Sequence, residues 1–292
     1  MKIKVVICIT CCLQFFSVYA QNTLVQTSDD LYYRRGLELL DKEKYGAARE
    51  AFQKYINLHP NDLLAIDAQY YSALSALNLF NPDAEYLFQS FLTKYPYHTK
   101  AGLAYYDMGA FHYYKKNYPK AIEYLEKVDK SQLTQSQQIE ANFMLAYSYF
   151  FQKEFDKAGP LFNDLKRGQH KYTYAANYYA GFIEFRNGEY DAALQDLKTA
   201  DNNDEYKTVV PFMIVNVLYK KNDMDALISY SEDVLKNRKD VKNPDKFFFS
   251  LQRLTSEKEI TKSHLNTLQN MLRNLIPVPH RKYNIVWHFQ NI

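Results

Sequence analysis

The chain has 292 residues, of which 16% are aromatic and 24% charged, and its formal net charge at pH 7 is +3. So small an excess of positive charge argues against nucleic acid or an anionic membrane surface as the main partner. The three cysteines, Cys8, Cys11 and Cys12, lie in one apolar N-terminal run; without that run the chain forms no disulfide and no cysteine metal site.

Residues 1–20 have the pattern of a secretory signal. Lys2 and Lys4 precede an apolar stretch and small residues end it, as expected for a cleaved segment. The stretch is shorter than the roughly 20 apolar residues that cross a bilayer. Cys11 and Cys12 lack the small residues that usually precede a lipidated cysteine. We therefore expect an exported protein that meets membranes only indirectly, with a linker over residues 21–28.

A pair of short helices is predicted over residues 30–60. Apolar residues recur there at three- and four-residue steps on one face of each helix. A glycine in the first helix removes a side chain where the second helix approaches, and a proline ends the second. The residues that carry this pattern are Gly36 in the first helix and Tyr45, Ala48, Phe52 and Pro60 in and after the second.

The same pattern returns at intervals of 35 to 37 residues. The alanine of the second helix recurs as Ala84, Ala121, Ala158 and Ala193. The aromatic residue three positions earlier recurs as Tyr118, Phe155 and Tyr190, with Asn81 in its place in the second unit. The small residue of the first helix recurs as Ser72, Gly109, Ala146 and Gly181, and a sixth, degenerate unit has Leu227 at the alanine position.

This order of residues resembles the tetratricopeptide repeat. The resemblance implies an all-α fold, a right-handed superhelical solenoid of antiparallel helix pairs. The repeats would span about 29–62, 65–98, 102–135, 139–172, 174–207 and 208–241. The resemblance further implies a scaffold with a concave groove for a protein or peptide. Secreted bacterial members of the family suggest a role in assembling or tethering envelope complexes, in the periplasm or at the outer membrane.

Aromatic residues exceed what packing between repeats needs, with 27 Tyr and 19 Phe against one Trp. On the first helices, those opposite the packing face would line the groove and give a partner broad contact area. The candidates are Tyr33, Tyr106, Tyr113, Phe143, Tyr147, Tyr178 and Phe185. Alternatively, several of them only pack against the next layer. Because tyrosines also stack on sugars, the alternative function is a glycan- or peptidoglycan-binding module.

No catalytic or cofactor pattern accompanies the repeats. The seven histidines are scattered, and none pairs with another ligand residue at metal-binding spacing. The eight glycines punctuate the repeats and form no phosphate-binding loop. The sequence therefore predicts no enzyme activity, no metal and no cofactor, and it leaves the oligomeric state open.

The repeat pattern is lost in residues 241–292. No tyrosine occurs between Ser231 and Lys282, although tyrosine is frequent before that point. One interpretation is a polar capping segment of the kind that ends a solenoid. The other is that the tail from Phe247 is out of frame, because a shifted reading of the codons from Glu257 to Asn274 allows another repeat-like helix. In that case the chain is the N-terminal piece of a longer repeat protein.

Overall fold

The computed structural model describes residues 30–237 together with Phe247 and Ser250. The predicted signal, the linker and the remainder of the tail lie outside these residues. Twelve α-helices and one short 3₁₀ turn account for the regular structure of the described part, which contains no strand, so the all-α prediction is confirmed. The chain folds into two compact units, one ending at Ser148 and the other beginning at Tyr149.

The first unit is built from helix pairs. The helices are α1 (Leu31–Asp41), α2 (Tyr45–Leu58), α3 (Leu63–Asn78), α4 (Ala84–Lys94), α5 (Ala101–Tyr114), α6 (Tyr118–Leu125) and α7 (Gln135–Phe151), with a 3₁₀ turn at Lys130–Gln132 before α7. The odd-numbered helices are the first members of their pairs. The last residues of α7, from Tyr149 on, belong to the second unit.

The second unit continues with α8 (Phe155–Leu165), α9 (Thr173–Asn187), α10 (Tyr190–Ala200), α11 (Val210–Lys221) and α12 (Met224–Asn237). One hydrophobic core of this unit contains Leu197, Ile214 and Leu227, all almost fully buried. Phe247 belongs to the same core and meets the ring of Phe212 edge-on, with ring centroids 5.4 Å apart. The start of the predicted tail therefore contributes a buried side chain to this unit.

Small residues on the first helices face bulky residues on the second helices. A Cβ atom at Gly36 would stand 2.6 Å from the ring of Phe52. Cβ atoms at Gly109 and Gly181 would stand 2.5 Å and 2.9 Å from side-chain atoms of Leu125 and Leu197. Distances under 3 Å leave no space for an added methyl group. Each glycine thus sets the closest approach of its helix pair. The repeated alanines, Ala48, Ala84, Ala121, Ala158 and Ala193, are all buried.

The turn inside each helix pair contains one residue in the left-handed backbone region. These residues are Glu43, Phe80, Lys116, Lys153, Gly188 and Asn222, with φ between 55° and 83°. The second pair differs from the others: α4 begins at Ala84 itself, whereas the other second helices begin three residues before the equivalent position. Asn81 therefore lies in the turn, and the aromatic residue that opens α2, α6, α8 and α10 has no helical position there.

Candidate functional site

Tyrosines on successive first helices of the first unit reach carboxylates on the next first helix. Tyr33 on α1 donates a hydrogen bond to Asp67 Oδ2 on α3, with an O–O distance of 3.4 Å. Tyr70 on α3 donates to Asp107 Oδ2 on α5, at 2.7 Å. Tyr106 on α5 faces Glu140 on α7, whose negative charge helps to raise the pKa of the Tyr106 hydroxyl. We call these six residues the tyrosine–carboxylate row.

Burial dominates the protonation behaviour of the row. It raises the pKa of Tyr33, Tyr70 and Tyr106, so their hydroxyl groups stay protonated as donors. Asp107 is half-buried. Burial raises the pKa of Asp107 to about 7, against the opposing effect of the Tyr70 hydrogen bond. Near neutral pH this carboxyl is therefore about half protonated.

Two basic side chains stand beside Asp67 at the start of the row. Lys100 Nζ lies 3.8 Å and His98 Nε2 lies 3.7 Å from Asp67 Oδ1. Lys100 also lies over the ring of Tyr71, with 4.8 Å between Nζ and the ring centroid. The ammonium group of Lys100 thus lies at Asp67, whereas Asp107 and Glu140 lie further along the row.

Three tyrosines form a cluster beside the far end of the row. The ring centroids of Tyr113 and Tyr147 are 5.5 Å apart, and Tyr118 lies 6.3 Å and 5.9 Å from them. All three side chains are half-buried, so each keeps some surface open to solvent. Tyr114, which is 68% exposed, donates a hydrogen bond to Glu140 Oε1 at 3.2 Å. We call Tyr113, Tyr118 and Tyr147 the tyrosine cluster.

The structure corrects the predicted groove at two residues. Tyr33 is only 9% and Phe143 only 7% exposed, so neither offers a partner a usable surface. Tyr33 packs among Phe52, Tyr55 and Tyr71 in the core of the first pairs. Its position on α1 directs the ring between helices. This is the alternative that the sequence left open, in which an aromatic residue only packs against the next layer. Phe143 lies 5.9 Å from Tyr147, measured between ring centroids.

The remaining candidates are half-buried and fall into separate places. Tyr106 belongs to the tyrosine–carboxylate row, and Tyr113 and Tyr147 belong to the tyrosine cluster. In the second unit, Tyr178 lies 4.9 Å from Tyr206 between ring centroids, and burial raises its pKa. Phe185 lies 6.1 Å from Tyr190, the first residue of α10.

The acidic members of the row were not predicted from the sequence. Asp67, Asp107 and Glu140 follow Tyr33, Tyr70 and Tyr106 by 34, 37 and 34 residues. Each carboxylate therefore stands one repeat after its tyrosine. A search for polar pairs at the repeat interval would have found all three.

The described residues give little support to a reactive histidine, a metal site or a membrane-spanning helix. His112, 4% exposed, stacks on Tyr124 with centroids 5.5 Å apart, and burial lowers its pKa, as for a packed structural histidine. No group of three or more His, Cys, Asp or Glu in the described part of the chain could hold a metal ion. None of the helices that the structure describes is both long and apolar enough to cross a membrane.

The tetratricopeptide repeat family model matches residues 29–62. No curated protein matches the sequence. Among solved structures, the chain is similar to PilF of Pseudomonas aeruginosa (17% identity, 79% of this chain and 97% of that one, TM-score 0.46). It is also similar to a tetratricopeptide repeat protein of Parabacteroides merdae (10% identity, 84% of this chain and 98% of that one, TM-score 0.49). A third similar structure is the C-terminal part of a tetratricopeptide repeat protein of Cytophaga hutchinsonii (17% identity, 86% of this chain and 92% of that one, TM-score 0.47).

The family assignment rests on the match at the first repeat and on the recurrence of its packing. The glycine that meets Phe52 in the matched segment has counterparts that meet Leu125 and Leu197. The left-handed turn of the matched segment, at Glu43, recurs in the five helix pairs that follow it in the described residues. Sequence match and repeated geometry agree: the chain carries a tetratricopeptide repeat at residues 29–62, and the packing of that repeat recurs in the helix pairs that follow.

Proposed function

We propose that this protein is an exported scaffold that binds a segment of another protein along the first helices of its first unit. Tetratricopeptide repeats generally bind proteins or peptides and are typically not enzymes, which supports the scaffold role. The observation that carries the choice of surface is the juxtaposition on α5 and α7 of half-buried rings with carboxylates. Tyr106, Tyr113 and Tyr147 supply the rings, and Asp107 and Glu140 supply the carboxylates.

The chemistry of this surface favours a partner segment that carries apolar and basic side chains. Tyrosine rings offer apolar area together with faces that attract cations. Carboxylates beside them attract Lys or Arg and suppress acidic partners through like-charge repulsion. Of the residues predicted to line the groove, the proposed surface keeps only half-buried ones and excludes Tyr33 and Phe143.

Export to the periplasm or the outer-membrane surface, with a role in assembling or tethering envelope complexes, is part of the same proposal. It is supported by Lys2 and Lys4 before the apolar run of residues 5–16. The test is to fractionate cells of the source bacterium and to determine the mass and N-terminal sequence of the protein. A chain that begins near Gln21 in the envelope or periplasmic fraction supports export, whereas a chain that keeps Met1 in the cytoplasm contradicts it.

The binding surface is tested by affinity capture from envelope extract with immobilised mature protein. We expect defined partners on the wild type and at least tenfold less of each on the double variant Tyr106→Ala, Tyr147→Ala. The matched control is Tyr86→Ala on α4, a second helix, because Tyr86 is 70% exposed and lies outside the row and the cluster. Equal capture by all three proteins would reject this surface, provided that circular dichroism shows the same helix content.

The second candidate function is binding of glycan or peptidoglycan, and the same observation favours it. Rings stack on sugar faces, and the carboxylates next to them accept hydrogen bonds from sugar hydroxyl groups. Sedimentation with purified peptidoglycan separates the two functions. Co-sedimentation of the wild type, lost in the double variant and accompanied by no captured protein, would replace the protein partner with a glycan.

A further inference from the structure

A cavity of about 250 Å³ lies between α8 and α9 in the second unit. Phe155, Gly159 and Asn163 on α8 and Ile183 and Glu184 on α9 are among its lining residues. The volume is smaller than the pockets of about 300 to 1,000 Å³ that take drug-sized ligands. It suits a single aliphatic side chain or a molecule of that size.

Two side-chain oxygens in the cavity wall are buried and lack hydrogen-bond donors. Glu184 is 8% exposed, and its Oε1 accepts a hydrogen bond from Lys166 Nζ at 3.0 Å. Its Oε2 has no hydrogen-bond partner, and neither has Asn163 Oδ1. A buried acceptor without a donor costs about 1 to 3 kcal/mol, so two of them in one wall favour an external donor.

The main chain of α8 supplies a third acceptor at the same cavity. Pro160 lies inside α8 and has no N–H group. The carbonyl of Asp156, four residues earlier, therefore lacks its helical donor. Asp156 and Pro160 both line the cavity, so this break in the helical hydrogen bonds lies beside the two side-chain oxygens.

The charges of the residues that line the cavity are unbalanced. Lys166 Nζ also hydrogen-bonds Asp196 Oδ2, so one ammonium group serves two carboxylates. Asp156 and Glu189 add further acidic groups to the lining, and no Lys or Arg is among the described residues that line it. A ligand with positive charge would compensate this excess. Burial, together with the neighbouring Asp196, raises the pKa of Glu184.

We propose that this cavity binds the ammonium group of an aliphatic amine, such as the side chain of a partner's lysine or a free diamine. An ammonium group carries three donors and no acceptor, which matches the oxygens of Asn163 and Glu184 and the carbonyl of Asp156. The apolar walls at Phe155 and Ile183 suit the methylene chain behind the charge. A divalent cation fits less well, since the described residues place no three His, Cys, Asp or Glu to hold one.

This site is independent of the surface proposed on the first unit, and neither result decides the other. The tyrosine–carboxylate row and the tyrosine cluster lie before Ser148, whereas every residue of the cavity lies beyond Tyr149. Loss of partner capture by the Tyr106 and Tyr147 variants would therefore leave the amine site standing. Absence of amine binding would leave the scaffold function standing.

The test is a calorimetric and NMR titration of the full mature chain with two amines. The probes are the methylamide of Nα-acetyl-lysine and 1,5-diaminopentane, with the methylamide of Nα-acetyl-norleucine as an uncharged control of similar shape. We expect saturable binding of the amines and none of the norleucine derivative. Tighter binding of the lysine derivative identifies a partner's side chain as the ligand, and tighter binding of the diamine identifies a free amine.

Two variants place the binding at the cavity. Glu184→Gln removes the negative charge and should weaken amine binding at least tenfold. Gly159→Leu should abolish it by filling the space, because a Cβ atom there would meet only Ile183 Cγ2, at an ordinary 3.7 Å. Glu205→Gln, an exposed change outside the lining, is the matched control and should leave binding unchanged.

The proposal is overturned by any of three results. These are no saturable response to either amine, equal binding of the norleucine derivative, or undiminished binding by Gly159→Leu. If Glu184→Gln loses its helical circular dichroism, Gly159→Leu decides alone. Replacing a helical glycine adds helix propensity, so that variant is expected to stay folded.

Discussion

Tyr70 and Asp107 are joined by a hydrogen bond of 2.7 Å that links α3 to α5. The acceptor has a pKa raised by burial to about 7, far above its ordinary value of 3.8. The folded protein therefore binds a proton at Asp107 that the unfolded chain releases near pH 4. Since the folded state binds more protons in this interval, the contribution of Asp107 to the free energy of unfolding falls as the pH rises from about 4 to about 7.

We expect Asp107→Asn to remove this fall, because the amide stays neutral and its oxygen still accepts from Tyr70. At pH 8 the variant should be more stable than the wild type by about 2 kcal/mol, a value reduced from the full linkage energy because the residue is partly exposed. Near pH 4 the two proteins should be about equally stable. Urea unfolding at pH 4, 6 and 8 measures the difference, and a constant difference across this range would contradict the assignment.

His112 should give the opposite pH dependence. Burial lowers its pKa, so the unfolded chain takes up a proton near pH 6.5 that the folded state resists. The contribution of His112 to stability is therefore complete above that pH and is lost as the pH falls below it. His112→Phe preserves stacking on Tyr124 and should flatten the acid side of the stability profile. Urea unfolding at pH 5 and pH 7 tests this; a variant that loses as much stability as the wild type between these pH values would refute it.

Two glycines of the first helix pair predict opposite effects of one added methyl group. Gly36→Ala should lower the free energy of unfolding by about 2 kcal/mol, because its Cβ would stand 2.6 Å from the buried Phe52 ring. Gly46→Ala meets nothing within 4 Å and should be neutral or gain up to about 1 kcal/mol from helix propensity. Thermal unfolding of both variants measures the contrast. Equal destabilisation would show that the helices adjust their separation freely.

Substitutions at two of the left-handed turns should change the stability of the protein in opposite directions. Lys153 has φ of 63° and Gly188 has φ of 83° at equivalent turns of consecutive helix pairs. A side chain in this region costs about 1 kcal/mol, so Lys153→Gly should stabilise the protein by up to that amount. Gly188→Ala should destabilise it by about as much. Chemical denaturation measures the free energy of unfolding of both variants, provided that their m-values equal that of the wild type. Two changes in stability of the same sign would be inconsistent with strain at the turn.

The repeated residues allowed most of the fold to be predicted, because each records a local constraint. Ala48 and its counterparts mark where a second helix is buried, and Gly36 marks where the first helix crosses it. The second pair was harder to delimit. Asn81 breaks the aromatic pattern, but only the structure shows that α4 starts later and that Phe80, 74% exposed, occupies the turn.

The candidate site was predicted less completely than the fold. A helical pattern shows on which face of a helix a side chain lies, but it does not show how deeply that side chain is buried. Tyr33 and Tyr106 occupy equivalent positions three residues before a glycine, yet Tyr33 is buried and Tyr106 is half-buried. The difference lies in neighbours from other helices, such as Tyr71 beside Tyr33. The acidic partners of the row were missed because hydrogen bonds between repeats join residues that are far apart in the sequence.

The hydrogen bonds of the tyrosine–carboxylate row have a consequence for selectivity. A basic group that docks at the row meets a carboxylate whose orientation a tyrosine hydroxyl already fixes, as Tyr70 fixes Asp107. Because a carboxylate accepts several hydrogen bonds, the ligand shares the acceptor with the tyrosine and displaces nothing. Its donor must then approach from the direction that the tyrosine leaves open. The protein would discriminate by direction, binding those ligands whose donors complete a coordination that its own helices have begun.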